Sequence, residues 1–347
     1  MAAMLPDGRR LGAHLALGDG MVKAAERAVE IGLDALQVFS DNPTAWQRRA
    51  EPSPEIAAFR SALADRDIAP LVVHASYLIN LAGADEVLRD RSIELLASEL
   101  ESAGRFGARI VNVHAGSHGG SGVDTGIARL VDGIARAFEA AEANEAAAAA
   151  AGPGRGPAPM VAVESSSGGG WGIAVNVAEW SAIARAAGEV PEIRDRVAFC
   201  LDTAHLWGAG IDVARPAAID ELLTAFDGEV GLDRLALVHL NDTRAAIGSR
   251  MDRHEHLGAG QIGPRGLGHL VRHPRLVGVP FIIETPGMEE GYDAINLARA
   301  KALARGDELA PLPPEAFTLE PRRSRPRGSK ASAKAAEDVT AATAGRP

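Results

Sequence analysis

The length and composition of the chain suit one globular domain with a large core. It has 347 residues, of which 46% are hydrophobic and 24% charged, and its formal net charge is −10. Residues 1–10 lack the apolar segment of a secretory signal, and no stretch approaches the roughly 20 apolar residues of a membrane helix. Cys200 is the only cysteine, so no disulfide can form within the chain. We therefore expect a soluble, cytoplasmic protein without a membrane partner.

Eight short apolar or β-branched runs follow one another along the chain and predict eight strands. Helical patterns, with apolar residues at steps of three and four, separate most of these runs. Strands and helices alternating in this number predict an α/β fold, a TIM (β/α)8 barrel, which takes about 250 residues or more. The predicted strands are 11–15, 35–39, 69–74, 108–114, 160–164, 197–202, 235–240 and 279–284. Helical patterns cover 21–31, 54–65, 85–106, 126–151, 266–271 and 292–303.

Two segments depart from this alternation and set the predicted domain limits. Residues 140–159 are rich in Ala, Gly and Pro, which predicts a peripheral insertion because Ala favours helix while Gly and Pro end it. Residues 318–347 contain almost no large apolar side chain, which predicts a disordered basic tail. The chain is thereby divided into an N-terminal extension at 1–10, a barrel domain at 11–317 and the tail.

The tail differs in charge from the rest of the chain. From 321 to 347, seven Lys and Arg residues stand against two acidic residues, so this segment carries +5 and the remainder carries −15. Two interpretations stay open for it: a solvated appendage without function, and an electrostatic tether for DNA.

Nine histidines and carboxylates stand at the ends of the predicted strands or just beyond them. Because the strands of such a barrel all end on one face, these side chains are expected to meet at the C-terminal face. A single histidine is more often a core or loop residue, so the whole set is the signal. Five imidazoles with four carboxylates suit zinc first and manganese second, and they predict a polynuclear metal site. The nine candidates are His74, His114, Glu164, Asp202, His205, His239, Asp252, His254 and Glu284.

The motifs that carry these residues stand in a recognisable order. They are LGAH at 11–14, HASYLINL at 74–81, NVHAGSH at 112–118, DTAH at 202–205, HLND at 239–242, DRH at 252–254, LGAGQIG at 257–263 and IETP at 283–286. With these motifs the chain resembles the endonuclease IV family of apurinic/apyrimidinic endonucleases over residues 11–304. Several of the motifs are long and bear candidate ligands, so the resemblance does not depend on one short pattern.

The resemblance implies three zinc ions per chain, with manganese possible at one site. The implied catalytic group is Glu164, a carboxylate that bridges two metals, together with a metal-bound hydroxide. The implied first ion is held by His74, His114 and Glu164, the second by Glu164, Asp202, His239 and Glu284, and the third by His205, Asp252 and His254.

The resemblance also implies the reaction and the partner. The reaction is hydrolysis of the phosphodiester on the 5′ side of an abasic deoxyribose, leaving a 3′-hydroxyl and a 5′-deoxyribose phosphate. A 3′-repair phosphodiesterase activity would accompany it in base excision repair. The partner is double-stranded DNA with abasic sites or 3′-blocking groups, and a monomer suits the family.

Three candidate DNA contacts follow from the same resemblance, and they include departures from the family. Tyr77 would border the flipped-out abasic nucleotide. In the loop 41–46, where relatives commonly carry a basic or amide wedge, this chain reads DNPTAW, with Thr44 and Trp46 as the candidate contacts. The wedge is therefore expected to be weak, and Trp46 could equally pack against the following helix. Ser165 replaces an asparagine often found after the bridging glutamate.

Two other functions stay open. A barrel sugar isomerase or epimerase would use the four residues Glu164, Asp202, His239 and Glu284 around one divalent ion. The other five candidate ligands would then be superfluous, which disfavours that function. A catalytically idle protein that binds damaged DNA through its zinc ions is favoured only by the altered loop 41–46.

Overall fold

Eight parallel strands close into a barrel in the computed structural model of the protein, which describes residues 5, 7–49, 52–148, 159–288 and 290–318. Strands that follow one another in sequence lie side by side, and the last strand closes the barrel against the first. This confirms the predicted TIM (β/α)8 barrel. The strands are β1 (Leu11–Leu15), β2 (Ala35–Phe39), β3 (Leu71–His74), β4 (Ile110–His114), β5 (Met160–Glu164), β6 (Val197–Asp202), β7 (Leu235–His239), β8 (Asp242–Thr243), β9 (His254–Glu255) and β10 (Phe281–Ile283). Of these, β8 and β9 form a separate antiparallel hairpin.

Three barrel strands are shorter at their N-terminal ends than the apolar runs that predicted them; β4 begins at Ile110 instead of 108, and the other two follow a proline. Strand β3 begins at Leu71 and β10 at Phe281, and each follows a proline, Pro70 or Pro280. Proline has no N–H to donate to a neighbouring strand, so it ends the ladder even where the apolar run continues.

Helices follow most of the strands and cover the outside of the barrel. Helix α3 shows why such helices begin and end where they do: the Asp85 side chain accepts a hydrogen bond from Leu88 N at 3.0 Å, and Gly107 ends the helix at φ 78°. The helices are α1 (Met21–Ile31), α2 (Ile56–Ala64), α3 (Glu86–Phe106), α4 (Val123–Ala148), α5 (Val177–Gly188), α6 (Thr203–Gly208), α7 (Pro216–Glu229), α8 (Gly263–Arg272) and α9 (Tyr292–Arg305).

Helix α4 is longer at its start than the sequence pattern predicts. It begins at Val123 instead of 126 and continues to Ala148, so residues 140–148 of the predicted insertion are its last turns. The remainder of that insertion, from 149 to 158, lies outside the described residues.

The interior of the barrel is layered, and the layering positions the functional site. One layer is apolar and buried, with one residue from each of seven strands. Successive side chains on a strand point to opposite faces, so the residue two positions later also points inward. In all seven strands that residue, or the one directly beyond the strand end, is polar. The apolar layer is Ala35, Val72, Ile110, Ala162, Cys200, Leu237 and Ile282, and the polar layer above it is Gln37, His74, Asn112, Glu164, Asp202, His239 and Glu284.

The hairpin of β8 and β9 was not predicted, and it brings the segment 244–253 back over the C-terminal face. It is anchored by Asp242, which is buried and accepts hydrogen bonds from the backbone N–H groups of Gly258, Gly260 and Ile262 at 3.0 Å each. A single buried carboxylate thus holds both the hairpin and the glycine-rich segment after it.

The described residues of the N-terminal extension pack onto the barrel domain. Leu5 belongs to the outer core. The buried Arg9 guanidinium donates to the carbonyl oxygens of Val271, Arg272 and His273 at 2.5, 3.1 and 3.1 Å.

The chain separates into two units, Met1–Pro311 and Leu312–Pro347. In the second unit a short 3-10 turn spans Pro314–Thr318, and the predicted tail beyond it lies outside the described residues. Across the described part of the chain, no helix combines the length and the apolar character needed to cross a membrane.

Candidate metal centre

All nine candidate ligands lie at the C-terminal face of the barrel. Six stand at a strand end or one residue beyond it, because the polar layer of the interior coincides with the strand ends. His205 lies in the short helix α6, three residues after Asp202, whose side chain caps that helix by accepting from His205 N at 2.8 Å. Asp252 and His254 come from the hairpin segment.

Eight of the nine side chains form three groups in which potential ligand atoms lie within 4.8 Å of one another. The first two groups share Glu164, the residue for which the resemblance implies a bridging position. The third differs from the implied set, because Asp202 joins it as well as the second. Asp252 lies beside the third group, with its two carboxylate oxygens 3.2 Å from His205 Nε2 and 3.1 Å from His254 Nε2. The groups are His74, His114 and Glu164; Glu164, Asp202, His239 and Glu284; and Asp202, His205 and His254.

Glu164 is the centre of this arrangement. Its side chain is almost fully buried, and Asn112 Nδ2 donates to its Oε2 at 2.6 Å. Four imidazole nitrogens surround its two oxygens. They are His74 Nε2 at 3.6 Å, His114 Nε2 at 3.5 Å, His205 Nδ1 at 3.1 Å and His239 Nδ1 at 3.4 Å.

The orientation of three histidine rings fits metal ligation. In each ring Nδ1–H donates to a backbone carbonyl: His74 to Ala75 at 2.8 Å, His205 to Ser165 at 2.8 Å, and His254 to Glu284 at 3.0 Å. Such a bond fixes the tautomer and leaves Nε2 with a lone pair. His254 Nε2 is buried and makes no well-aligned hydrogen bond, although carboxylate oxygens lie 3.1 and 3.6 Å away. A buried imidazole nitrogen that faces carboxylates favours positive charge there, supplied either by a proton on Nε2 or by a bound cation.

Gln37 is a functional residue that the sequence reasoning missed. Its Nε2 donates to Glu284 Oε1 at 2.6 Å, and its Oε1 accepts from His239 Nε2 at 2.9 Å. His239 therefore presents Nδ1 to the second group, 3.1 Å from Glu284 Oε2. A single glutamine in the otherwise apolar run 35–39 was the available signal.

Asn241 and Ser165 support the second group from the side. Asn241 Nδ2 donates to Asp202 Oδ2 at 2.7 Å, and its Oδ1 accepts from Glu284 N at 2.8 Å. Ser165 Oγ accepts from Asp202 N at 2.9 Å. Ser165 thus forms a hydrogen bond to the backbone of strand β6, which carries Asp202.

Electrostatics in the centre couple protonated imidazoles to ionised carboxylates. Burial alone would raise the pKa of Glu164, but the charges of His114 and His239 hold that pKa well below its ordinary value. Burial likewise works against a charged His239 and a charged His205, yet nearby negative groups raise the pKa of both imidazoles well above the ordinary value. The cluster attracts positive charge, which protons or metal ions can supply.

The candidate DNA contacts lie in different surroundings. Tyr77 is 56% exposed, and its ring lies 5.6 Å from that of His74. It lines a cavity of about 320 Å³ together with Glu164 and Asp252. Thr44 is exposed in its loop, whereas the half-buried Trp46 packs against the core with the Arg91 guanidinium 4.2 Å from its ring centroid. Trp46 therefore packs against the core and Arg91 of α3, whereas the packing alternative named the following helix, α2.

One further group of potential ligands lies outside the centre, between α7 and the end of α8. It consists of Asp220, His269 and His273. His273 Nδ1 accepts from Arg275 N at 3.3 Å, which keeps the proton of the neutral ring on Nε2, facing Asp220 Oδ1 at 3.3 Å. This geometry suits hydrogen bonding to Asp220 better than metal ligation.

The chain is similar to known proteins over most of its length. A family model described as a xylose isomerase-like TIM barrel matches residues 25–306. A probable endonuclease 4 of Haloarcula marismortui is 35% identical over 306 residues, covering 86% of this chain and 99% of the relative. A probable endonuclease 4 of Halorhodospira halophila is 36% identical over 298 residues, covering 86% and 95%.

Among solved structures, endonuclease IV from Thermus thermophilus matches with a TM-score of 0.71 and 36% identity, covering 86% of this chain and 99% of the other. A D-tagatose 3-epimerase-like protein matches with a TM-score of 0.57 over 86% and 98% of the two chains, but at 16% identity this likeness concerns the fold alone. The predicted family is confirmed: this chain belongs to the endonuclease IV family.

Proposed function

We propose that this protein is a zinc-dependent endonuclease that hydrolyses the phosphodiester 5′ to abasic sites in double-stranded DNA, with 3′-repair phosphodiesterase activity. The observation that carries the proposal is the convergence of nine candidate ligands, grouped around Glu164, beside one open cavity. Membership of the endonuclease IV family supports the nuclease activity, and relatives named endonuclease 4 support DNA as the substrate.

The donor set fits three zinc ions, with manganese possible at one position. His74, His114 and Glu164 would hold the first, and the group of Glu164, Asp202, His239 and Glu284 the second. The third would lie among His205, Asp252 and His254, with Asp202 close by. Bound divalent ions supply Lewis-acid stabilisation of phosphate oxygens and a water of lowered pKa. Four ligand carboxylates against three doubly charged ions leave a net +2, which favours an anionic diester over a neutral sugar.

Burial within the centre defines the side from which substrate would approach. His239 and Asp202 are fully buried at the base, and Glu164 is only 2% exposed. The side chains of His114 and Asp252 are 40% and 49% exposed and line the cavity. A phosphodiester would therefore enter along His114 and Asp252, while Glu164 holds the ligand groups together beneath it.

Tyr77 is proposed to bind the abasic nucleotide. Its ring stands at the cavity wall beside the first ligand group, 5.9 Å from the ring of His114. Extrusion of an abasic nucleotide costs less than extrusion of a paired base, because base pairing is already lost. A cavity of about 320 Å³ lies at the small end of ligand pockets, which suits a sugar phosphate without its base.

The sugar isomerase or epimerase function has less support. The group of Glu164, Asp202, His239 and Glu284 would serve one divalent ion, and epimerases share this fold. That function assigns no metal-binding role to five candidate ligands that lie within the same centre: His74, His114, His205, Asp252 and His254.

The deciding experiment is cleavage of a duplex with one tetrahydrofuran abasic analogue, which blocks β-elimination so that only hydrolysis yields product. We expect a product with a 3′-hydroxyl, loss of activity after chelation, and about three zinc ions per chain by elemental analysis, from nine ligands with one shared. Tight binding of the duplex without cleavage would establish the idle binding protein instead. A single bound divalent ion with sugar epimerisation would establish the epimerase.

A further inference from the structure

The loop that follows β5 exposes a large aromatic side chain in an unfavourable backbone conformation. Trp171 is 65% exposed and has φ 68°. Bulky residues rarely adopt this left-handed conformation, which favours glycine. Positions 168, 169, 170 and 172 are all glycine, so Trp171 is the single non-glycine residue within 168–172. Backbone strain of this kind concentrates at functional sites.

The loop holds the Trp171 ring in place without burying it. The Trp171 carbonyl accepts from His118 N at 3.1 Å, and Ile173 N donates to Gly116 O at 3.1 Å, which fixes the loop to the segment after β4. The rings of Trp171 and His118 meet edge to face with centroids 5.6 Å apart. One part of the indole is therefore supported, while most of its surface faces solvent.

This loop borders the cavity of the metal centre. Gly169 and Gly172, on either side of Trp171, line the cavity, and the exposed ring of Tyr77 lines it as well. Strand β5 ends with Glu164, only seven positions before Trp171 in the chain. Trp171 therefore stands at the rim of the same cavity in which Tyr77 is proposed to bind the abasic sugar.

The hairpin segment beside the Trp171 loop carries three exposed arginines and one exposed carboxylate, Asp252. Ser167 Oγ donates to Arg250 O at 3.4 Å, which joins the loop to the hairpin segment. Arg244, Arg250 and Arg253 are exposed in that segment, and none has an ion pair within the described residues. An exposed aromatic ring beside such arginines is the combination that binds unstacked nucleic acid, with stacking for bases and positive charge for phosphates.

We propose that Trp171 stacks on the base of a nucleotide next to the extruded abasic site. Extrusion of the abasic nucleotide leaves a neighbouring base with an unstacked face. The indole, held at the cavity rim, covers that face and keeps the neighbouring nucleotide in place while the abasic sugar occupies the cavity. This inference rests on the proposed function and adds a residue that determines how flanking DNA is bound.

The protein-side test replaces Trp171 by Gly and by Phe in the full-length, metal-loaded protein. Loss of stacking in Trp171→Gly is expected to raise KM for the tetrahydrofuran duplex about tenfold, with kcat changed less than about twofold. Trp171→Phe keeps a ring and is expected to restore most of the affinity. Because glycine adopts φ 68° readily, the thermal midpoint of Trp171→Gly is expected to equal or exceed that of the parent. A purely structural tryptophan would instead lower the midpoint.

The DNA-side test removes the partner base. Each base flanking the tetrahydrofuran, and the base opposite it, is replaced singly by a second abasic analogue, and KM is measured for the parent and for Trp171→Gly. At one neighbouring position, loss of the base should raise KM for the parent but leave KM for Trp171→Gly unchanged. Equal effects on both proteins at every position would overturn the stacking contact.

The matched control is Val277→Ala, an exposed apolar residue that precedes β10 at the opposite end of the barrel. Its KM should equal that of the parent. If the parent cleaves the duplex and Trp171→Gly has an unchanged KM, this inference is overturned and the proposed function stands. If the parent binds abasic duplex in a Trp171-dependent manner without cleaving it, the proposed activity is overturned and the contact stands.

Discussion

Glu164 shows how one residue organises the site. Its two oxygens face different sets of imidazoles, and Asn112 holds one of them. Replacement by Gln removes the charge but keeps an acceptor for Asn112. We expect Glu164→Gln to reduce kcat more than about 100-fold, beyond the 10–100-fold effect usual for a residue that only supports a ligand. Initial rates on the tetrahydrofuran duplex measure this.

Asp293→Asn is the control for Glu164→Gln, because Asp293 is an equally buried carboxylate paired with Arg27 at 2.6 Å, away from the ligand groups. It should lower thermal stability while kcat stays close to that of the parent. Near-parent turnover by Glu164→Gln would show that this carboxylate does not bridge two metals.

Gln37 binds no metal in the proposed arrangement, yet it joins two ligands. Its amide fixes His239 and Glu284 in the second group. Gln37→Leu is expected to weaken zinc binding at that group about 10–100-fold, because the ring and the carboxylate lose their common support. Competition with a chromophoric chelator gives the affinity. The control is Gln47→Leu, the same substitution at an exposed position, and equal affinities in the two variants would contradict the role of Gln37.

At the scale of elements, the loops after the strands border the face at which DNA is proposed to bind. The loop 41–46 is folded on itself: the N–H and hydroxyl of Thr44 donate to Asn42 Oδ1 at 3.0 and 2.9 Å, and Arg48 Nη1 donates to Asn42 O at 3.1 Å. Within this loop the described side chains offer DNA no cation, and a weak wedge stays a prediction.

Restoring a positive charge to this loop should strengthen DNA binding. Thr44→Arg keeps the backbone hydrogen bond to Asn42 and adds one guanidinium at an exposed position. We expect tighter binding of the abasic duplex and a log–log salt slope steeper by about 0.9, the contribution of one phosphate contact. Thr44→Gln, of similar reach but neutral, should leave the slope unchanged. An unaltered slope for Thr44→Arg would mean that this loop stays away from the phosphates.

At the scale of the whole molecule, the raised pKa values of buried histidines in the centre are expected to couple metal binding to proton release. Burial alone would lower the pKa of His254, but the nearby carboxylates of Asp252 and Asp202 raise this pKa to about 9. The pKa values of His205 and His239 are raised as well. Below these pKa values the metal-free centre holds protons that a metal must displace.

Metal binding at pH 7 is therefore expected to release protons, and the apparent affinity should rise with pH until about 9 and then level off. Titration calorimetry in two buffers of different ionisation enthalpy measures the number of protons released. Heats that do not depend on the buffer would show that the imidazoles are already neutral, contrary to this expectation.

The tail belongs to the same scale, because its charge opposes that of the rest of the chain. If the +5 segment at 321–347 binds phosphates, its deletion should weaken binding to any duplex and flatten the salt dependence by about 0.9 for each phosphate that the segment neutralises. Turnover at saturating substrate should not change. A full-length variant with the seven basic residues replaced by Gln separates charge from length, and superimposable titrations of all three proteins would leave the tail without a role in DNA binding.

The barrel and the convergence of the candidate metal ligands could be predicted from the sequence for identifiable reasons. Each strand is an apolar run with a fixed alternation of side chains, so His74, Glu164 and Asp202 had to point inward once they stood at strand ends. The parallel strands of the barrel then bring their ends to one face, and the family motifs indicated which side chains belong together. Two of the errors at strand starts arose where a proline interrupts hydrogen bonding without interrupting the apolar run, as at Pro70, whereas β4 begins two residues late without a proline before it.

The contacts that orient these ligands were decided only by the tertiary structure. Gln37 meets His239 across 202 positions of sequence, and Asn241 joins Asp202 to Glu284 from a third strand end. Asp202 lies within reach of two ligand groups because α6 and the hairpin fold back over β6. Trp171 became notable only through its exposure and its φ of 68°. Sequence patterns indicate which residues face a common interior. The side-chain hydrogen bonds and the exposure of Trp171 depend instead on how the strands of the closed barrel and their loops pack in three dimensions.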